Sequence, residues 1–357
     1  MSTPIQLLSG NNFNLIYMDP LSQGTVGAAF AQSFANKNNI FKIGFIGFLS
    51  GLIPDLDVLI SSSNDPILSL EYHRQFTHSL FFIPIGSLIF AFIIFPLVKS
   101  SLSFKTVYFT SLLGYSTHGL LDACTSYGTQ LFWPFSNERV SWNNISIVDP
   151  LFTIPILIFL GISIKTKKKI FSFFGIGWII FYLTFGFIQY DRALSAAIEL
   201  ATIRGHNAER MTLKPSFGNL ILWKSIYKHK EHFYIDAIRT AQSSTWYLGE
   251  TIRVFDYEYH LPDLDKESQQ KKDIERFRWF SQDYLGYVKE KNIVTDVRYS
   301  MIPNQIAPMW GLTIDVQRGK NEHATWWTSR KLDQSQLGLF IDMLKGKKCE
   351  SCHLSPF

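Results

Sequence analysis

The stretch IFSFFGIGWIIFYLTFGFIQY, residues 170–190, contains no charged side chain. SLFFIPIGSLIFAFIIFPLV at 79–98 is equally apolar, and IVDPLFTIPILIFLGISI at 147–164 is a slightly shorter stretch. An α-helix needs about 20 apolar residues to cross the roughly 30 Å hydrocarbon layer of a membrane. These stretches therefore predict transmembrane helices.

Three more segments extend this prediction. FKIGFIGFLSGLIPDLDVLI (41–60) and TVYFTSLLGYSTHGLLDAC (106–124) are apolar but carry ionisable groups. DPLSQGTVGAAFAQSFA (19–35) is rich in small residues, which suit a helix packed inside a bundle. We thus predict a membrane α-helical bundle of about five to six spans, followed by a soluble α+β C-terminal domain. The count is five if the first helix lies in the membrane interface.

The charges are distributed unevenly along the chain. Residues 1–190 contain 18 Asp, Glu, Lys and Arg residues, whereas residues 191–357 contain 45. This distribution excludes a disordered chain, a collagen and a single soluble globule. It predicts a dispensable N-terminal extension (1–17), a multi-span membrane domain (18–190) and a soluble α+β domain (191–357).

The lysines predict the orientation in the membrane. All eight lysines before residue 190 fall on alternate connections between the six segments: Lys37, Lys42, Lys99, Lys105, Lys165, Lys167, Lys168 and Lys169. The positive-inside rule assigns these connections to the cytoplasm. Six crossings then place the C-terminal domain outside, in the periplasm of a Gram-negative cell. The net charge of +5 is small and does not favour binding to nucleic acid.

The C-terminal part has strand and helix patterns and a pair of cysteines near its end. Residues 219–239 predict two strands joined at 228–231, and residues 268–290 predict a charged amphipathic helix. Cys349 and Cys352 form a lone CxxC, which is a weak zinc signal without a second pair. Two free thiols or a terminal disulfide is the favoured interpretation.

Ionisable side chains recur within the apolar segments of the first half. Such groups are costly in a membrane and are functional candidates. His118 and Asp122 are four residues apart and share one face of a helix, and Asp55 and Asp57 follow Pro54, where a helix breaks. The complete set of predicted metal ligands is Asp55, Asp57, His73, His78, His118 and Asp122.

This set of imidazoles and carboxylates suits a divalent metal, with Zn²⁺ favoured over Mn²⁺ or Fe²⁺. We predict that Asp57 also acts as a general base and that Arg74 binds an anionic oxygen of the substrate. His73 and His78 are five residues apart, so sharing one centre requires a turn between them or two ions.

Two other interpretations remain open. Any one of these residues could be a helix cap or belong to a buried ion pair such as Asp57–Arg74. The set could also form a proton or ion relay in a transporter. Its clustering at one end of the segments and the lack of an inverted repeat in the sequence disfavour a transporter.

Four motifs in order carry a resemblance to a known family. They are MDPLSQGTVGAAFAQS, GLIPDLDVL, HRQFTHSL and HGLLDACTSYGTQLFWPFS, and they resemble the bacterial membrane-bound metal-dependent hydrolases of the YdjM/YbcI type. The resemblance covers about residues 18–190 and includes all six predicted ligands. Gln23 stands where the family commonly has a histidine, so we expect Gln23 to hydrogen-bond a metal-bound water.

The residues and the resemblance together imply an integral inner-membrane, metal-dependent hydrolase. We expect metal–hydroxide attack on an ester or phosphoester bond of a lipid or envelope substrate. The alternative is a non-catalytic membrane protein that keeps a structural metal or docks a partner through its tail. The sequence predicts no particular oligomeric state.

Overall fold

The computed structural model describes residues 19–330 and 332–347. The predicted extension 1–17 and the cysteine pair at 349 and 352 lie outside the described residues. Helices fill the first half of the chain and strands dominate the second. Among the described residues the α-helices are α1 (Pro20–Ser33), α2 (Ile40–Ser50), α3 (Leu68–Tyr72), α4 (Ile83–Val98), α5 (Phe104–Cys124), α6 (Pro150–Thr166), α7 (Ile170–Ile203), α8 (Tyr257–His260), α9 (Gln269–Phe280) and α10 (Gln334–Lys345), and the short 3-10 helices are Ile53–Leu59, Phe76–His78 and Lys289–Lys291.

The helix starts follow local capping rules. The Asp19 carboxylate accepts a hydrogen bond from the first turn of α1, and Pro20 occupies its first position. Asp149 and Pro150 repeat this arrangement at α6. The Ser103 hydroxyl accepts from the Thr106 amide at the start of α5. These side chains satisfy amide groups that have no partner within the helix.

The predicted bundle of five to six spans is wrong. Within residues 19–330 and 332–347, only α7 is long and apolar enough to cross a membrane. A second span exists only if α4 is joined to the segment Leu68–His78, from which it bends by 88°. The predicted periplasmic position of the tail depended on six crossings and loses that basis.

The physical reason is that hydropathy does not reveal where helices break. The segment 41–60 does not form a transmembrane helix, because α2 has only 11 residues, which span about 16 Å. Gly51 ends this helix, and Pro54 lies in the 3-10 helix that follows. The helices α1 and α6 have 14 and 17 residues. The helix α5 has 21 residues, but its buried face is polar and includes His118.

Large apolar side chains nonetheless face outward from α2, α4, α6 and α7. They include Phe41, Phe45, Phe92, Ile93, Leu97, Ile154, Ile158, Phe173, Phe174, Ile180, Phe181 and Ile188. Soluble monomers rarely expose continuous apolar surfaces, so these outer faces indicate contact with lipid or with another protein.

The small-residue helix α1 lies inside the helical half, as predicted. From Ser22 to Ser33 every side chain except Phe30 is buried. The helices α1, α2 and α5 approach so closely that a Cβ atom on Gly114 would overlap the carbonyl oxygen of Gly47. Only glycine permits this separation of the helix backbones.

The second half contains two antiparallel sheets. One has the order β1-β2-β3-β4 with β5 beside β3, and the other has the order β6-β7-β8-β9. The strands are β1 (Arg210–Pro215), β2 (Leu222–His229), β3 (His232–Thr240), β4 (Ser244–Tyr247), β5 (Thr251–Arg253), β6 (Leu285–Val288), β7 (Ile293–Asp296), β8 (Trp310–Thr313) and β9 (Thr325–Thr328). The hairpin β2–β3 pairs His229 with His232 and confirms the strands predicted over 219–239. The predicted helix 268–290 is shorter, since α9 ends at Phe280.

The two halves share hydrophobic cores. The helix α7 continues without a break across residue 190, and its Ala193 and Ala197 belong to one buried cluster with Trp223 and Ile238 of the first sheet. A second cluster joins Ile67 to the helix α9 and the second sheet. The strand-rich half is therefore packed against the loops that follow α2.

A part-buried ion-pair network reinforces this contact. Arg276 of α9 binds Asp65 (Nη1–Oδ1 2.9 Å) and Glu71 (Nε–Oε1 2.6 Å) of the helical half. Asp273 lies 3.4 Å from Nη1 of the same guanidinium. One guanidinium thus pairs with carboxylates from both halves, and charge-assisted bonds of this kind are stronger than neutral ones.

We predict that Arg276→Gln lowers the free energy of unfolding by about 1–3 kcal/mol, because Asp65 and Glu71 lose their counter-charge. Lys266→Gln is the control, since Lys266 lies 2.9 Å from Glu258 and both side chains are more than 70% exposed. Thermal unfolding of both variants in mild detergent measures the effect. Equal melting temperatures for the two variants would contradict the proposed role of the network.

Candidate metal centre

Three segments of the helical half bring the candidate ligands together. The 3-10 helix after α2 carries Asp55, the 3-10 helix before α4 carries His78, and the last turns of α5 carry His118 and Asp122. One ligand atom from each of these four residues lies within 4.8 Å of all the others. Four of the six predicted ligands therefore form one group.

The distances within this group are short. His78 Nε2 and His118 Nε2 are 3.0 Å apart, and each is 3.4 Å from Asp55 Oδ1. Asp122 Oδ2 lies 3.2 Å from His78 Nε2 and 3.6 Å from His118 Nε2. Metal bonds of about 2.0 Å in a tetrahedron would place neighbouring ligand atoms about 3.3 Å apart. The measured separations match that spacing.

The hydrogen-bond partners decide which imidazole nitrogens carry protons. His118 Nδ1 lies 2.6 Å from the carbonyl oxygen of Gly51, which can only accept, so this nitrogen is the donor. His78 Nδ1 lies 2.9 Å from Thr77 Oγ1 and 3.2 Å from Asp57 Oδ2. The Thr77 hydroxyl donates to Asp57 and therefore accepts from His78.

In the neutral imidazoles, both Nε2 atoms then present lone pairs to the centre. Two carboxylate oxygens join them, and Asp122 Oδ2 is buried without a hydrogen bond from the described residues. Histidines that ligate metals commonly donate their other ring N–H to a carbonyl or carboxylate, as seen here. The residues therefore fit a divalent cation.

Two further side chains hold the Asp122 carboxylate. Gln23 Nε2 donates to Asp122 Oδ1 at 2.8 Å, and Arg74 Nε lies 3.2 Å from Asp122 Oδ2. Gln23 therefore orients a candidate ligand. Its expected hydrogen bond to a metal-bound water stays a prediction.

Asp57 is not part of the group of four ligands. It lies beside the Nδ1 atoms of His73 and His78. It accepts hydrogen bonds from His73 Nδ1 (2.8 Å), the Arg74 backbone amide (3.0 Å) and Thr77 Oγ1 (2.8 Å). Burial alone would raise the pKa of the Asp57 carboxyl, but its interactions with the His78 and His73 imidazoles hold that pKa far below its usual value. An ionised Asp57 is a strong acceptor for both imidazoles.

Asp57 and His73 also belong to a second geometric group. One oxygen of Asp55, one of Asp57 and one nitrogen of His73 lie within 4.8 Å of one another. Asp55 is common to both groups and is the only one of the four central residues that is partly exposed, with 15% of its side chain accessible. Asp55 therefore marks the opening of the site.

Arg74 is fully buried and has a positive φ of 63°. Its guanidinium lies 5.4 Å over the Tyr127 ring and donates to Thr125 Oγ1. The ion pair considered for Asp57 and Arg74 is not formed by side chains, since the guanidinium faces Asp122 and only the backbone amide binds Asp57. Asp19 also stays outside the centre, because it caps α1.

Sequence patterns missed three contributors. Thr77 links Asp57 to His78, and the Gly51 carbonyl orients His118. Gly119 lets α5 approach the segment of His78, because a Cβ atom there would overlap the His78 carbonyl oxygen. A hydroxyl, a carbonyl and a glycine carry no distinctive signal in one sequence, although Thr77 adjoins His78.

A separate group consists of Asp65, Asp273 and His323. The guanidinium of Arg276 already contacts both of its carboxylates, and His323 Nδ1 lies 3.0 Å from Asp273. Since the Arg276 guanidinium already pairs with both carboxylates, we interpret this group as an ion-pair network between the halves.

The apolar outer faces and the buried histidine–carboxylate cluster define a membrane-associated helical protein with a candidate metal centre. Residues 18–193 match the family model described as YdjM inner membrane protein. This match covers α1 to α6 and most of α7, includes every predicted site residue and indicates a membrane protein.

One curated relative adds a shorter similarity. The uncharacterized protein YfhP of Bacillus subtilis (strain 168) is 31% identical over 97 residues, which are 27% of this chain and 29% of that protein. The match thus spans less than a third of the relative. No solved structure matches this chain.

We predict that Gly119→Ala displaces His78 and destabilises the protein by roughly 1–3 kcal/mol, as expected for overpacking. Gly161→Ala in α6 is the control, because a Cβ atom there meets nothing within 4 Å. Melting temperature and bound metal should both fall only in Gly119→Ala. Normal values for both quantities in that variant would refute the close-approach argument.

Proposed function

We propose that this protein is an inner-membrane, metal-dependent hydrolase acting on an ester or phosphoester bond of a lipid or envelope substrate. The observation that carries the proposal is the convergence of His78 Nε2, His118 Nε2, Asp55 Oδ1 and Asp122 Oδ2, whose ring partners leave lone pairs facing one point. Burying such a set without a cation is unfavourable. The family match supports the membrane location.

These four residues would hold the ion, with zinc favoured by two nitrogen and two oxygen ligands at near-tetrahedral spacing. A bound divalent cation supplies Lewis-acid polarisation of an ester or phosphoryl oxygen and activates water. Asp57 keeps His73 and His78 in the correct tautomer and orientation. Asp57 accepts all of these hydrogen bonds from protein groups. We therefore assign it the role of positioning the histidines and not that of a metal ligand.

The residues around the opening define how a substrate would approach. Among the four proposed ligands Asp55 alone is partly exposed, so its second carboxylate oxygen is the best-placed proton acceptor for an incoming water. Leu56 and Leu59 in the same turn are 55% and 76% exposed. This apolar rim favours a substrate with hydrocarbon chains. Arg74 lies behind Asp122 and balances its charge from the protein side.

A structural metal is the second candidate function. The side chains of His78, His118 and Asp122 are completely buried, and closed sites are typical of structural zinc, whereas catalytic sites keep an open position. In that case the centre would join three segments of the helical half. The partly exposed Asp55 favours the catalytic function.

The metal proposal predicts about one zinc ion per chain in protein purified in mild detergent, because one group has four ligands. His118→Ala should abolish binding. Asp57→Asn should weaken it by on the order of 10- to 100-fold, as for other residues that orient ligands. His229→Ala in β2 is the control. Elemental analysis decides the matter, and unchanged metal in His118→Ala would refute the ligand assignment.

The catalytic proposal predicts that the metal-loaded protein releases fatty acid or a phosphorylated headgroup from mixed phospholipid vesicles. Activity should disappear in His118→Ala and persist in His229→Ala, since only the former removes a ligand. Product release followed by mass spectrometry measures it. A loaded, folded protein that releases neither product would favour the structural metal.

A further inference from the structure

A cavity separate from the metal centre lies between the two halves of the protein. Its volume is about 300 Å³, and it is lined from the helical half by Ser126, Tyr127 and residues 146–148. Strands β1 and β2 and the segment 298–303 close it from the other half. Ligand pockets begin at about this size.

The cavity is strongly basic. Lys214, Lys224, Arg298 and Arg330 line it, and its described lining residues include no Asp or Glu. Arg298 is neutralised by Asp296, at 2.6 Å between Nη2 and Oδ2. The amines of Lys214 and Lys224 thus face a pocket whose described walls carry no carboxylate.

The two lysines are buried against neutral oxygens. Lys214 Nζ donates to the Ser126 carbonyl at 2.8 Å and to the Asn143 side-chain amide oxygen at 3.3 Å. Lys224 Nζ donates to Ser300 Oγ and to the Gln305 carbonyl, both at 2.8 Å. Each residue is only 4% exposed. Buried ammonium groups without a paired carboxylate are costly, and an anion in the cavity would offset that cost.

Burial affects the protonation of both lysines. It lowers the pKa of Lys224 to about 7 and holds that of Lys214 well below the ordinary range. Neither lysine contacts a candidate metal ligand, since their partners lie after α5 or in the second half. The function proposed above therefore gives these two buried amines no role.

The remaining walls are apolar and aromatic. The rings of Tyr127 and Tyr299 stack at 4.9 Å between centroids, and Lys214 Nζ lies 4.9 Å from the Tyr299 ring. Met309 also lines the cavity, and Phe217, which is 66% exposed, lies at its edge. The pocket therefore combines a lysine-lined interior with an apolar rim formed by Met309 and Phe217.

We propose that this cavity binds an amphiphilic phosphate monoester, with its anionic headgroup at Lys214 and Lys224 and its hydrocarbon chain along Met309 and Phe217. A phosphorylated lipid and free phosphate share the headgroup chemistry, so the test must separate them. Tyr127 and Arg74 stand between this cavity and Asp122, which makes it a site distinct from the metal centre.

Calorimetric titration of the full chain in phosphatidylcholine nanodiscs tests the proposal, with empty nanodiscs correcting for partitioning. Octyl phosphate should bind more tightly than inorganic phosphate, and octanol should not bind. Binding should persist in EDTA, because the cavity needs no metal. Its failure therefore leaves the hydrolase proposal untouched.

Variants then assign the two ends of the ligand. Lys224→Met should weaken the binding of both octyl phosphate and inorganic phosphate by about tenfold or more, which corresponds to the loss of one charged hydrogen bond. Phe217→Ala, at an exposed position, should weaken only octyl phosphate. Lys228→Met, on β2 but paired with Glu209 outside the cavity, is the control.

Three outcomes would overturn the proposal. The first is the absence of binding by octyl phosphate. The second is equal affinity for inorganic phosphate, which would indicate a site for the free anion. The third is unchanged binding in both Lys224→Met and Phe217→Ala. If Lys224→Met does not fold, Phe217→Ala alone still separates chain binding from headgroup binding.

Discussion

The hydrogen bonds made by the Nδ1 atoms of His78 and His118 are the constraint on which the helical half depends. The Gly51 carbonyl accepts from His118, and the Thr77–Asp57 pair faces His78. Gly51 can accept because α2 ends there, and the last carbonyls of a helix have no partner within it. The break that prevents α2 from crossing a membrane therefore also orients a candidate ligand.

Several of these features could be predicted from the sequence, and others could not. The spacing of His118 and Asp122 predicts a shared helix face, and both lie in the central group. The number of spans could not be predicted from hydropathy, because hydropathy does not show where a helix ends, as α2 does at Ser50. The position of Arg74 behind Asp122 depends on a left-handed backbone that no spacing rule encodes.

The Gln23 position illustrates a related limit. A single sequence shows which residue type stands at a position but not which atoms it will meet. The Gln23 side chain is completely buried and donates to Asp122 Oδ1, whereas the Arg74 guanidinium lies beside Oδ2 of the same carboxylate. A hydrogen-bond donor and a positive charge beside one carboxylate favour its ionised form, which is the form that binds metal.

The strand-rich half supports the same centre from outside. Arg276 binds Glu71, which precedes His73 by two residues. The Tyr299 hydroxyl donates at 2.6 Å to the Ser126 carbonyl, which follows Asp122 by four residues. Loops are the most mobile parts of a fold unless they are tied down. Because these contacts hold the loops on both sides of the site, the second half positions the centre as well as forming the basic cavity beside it.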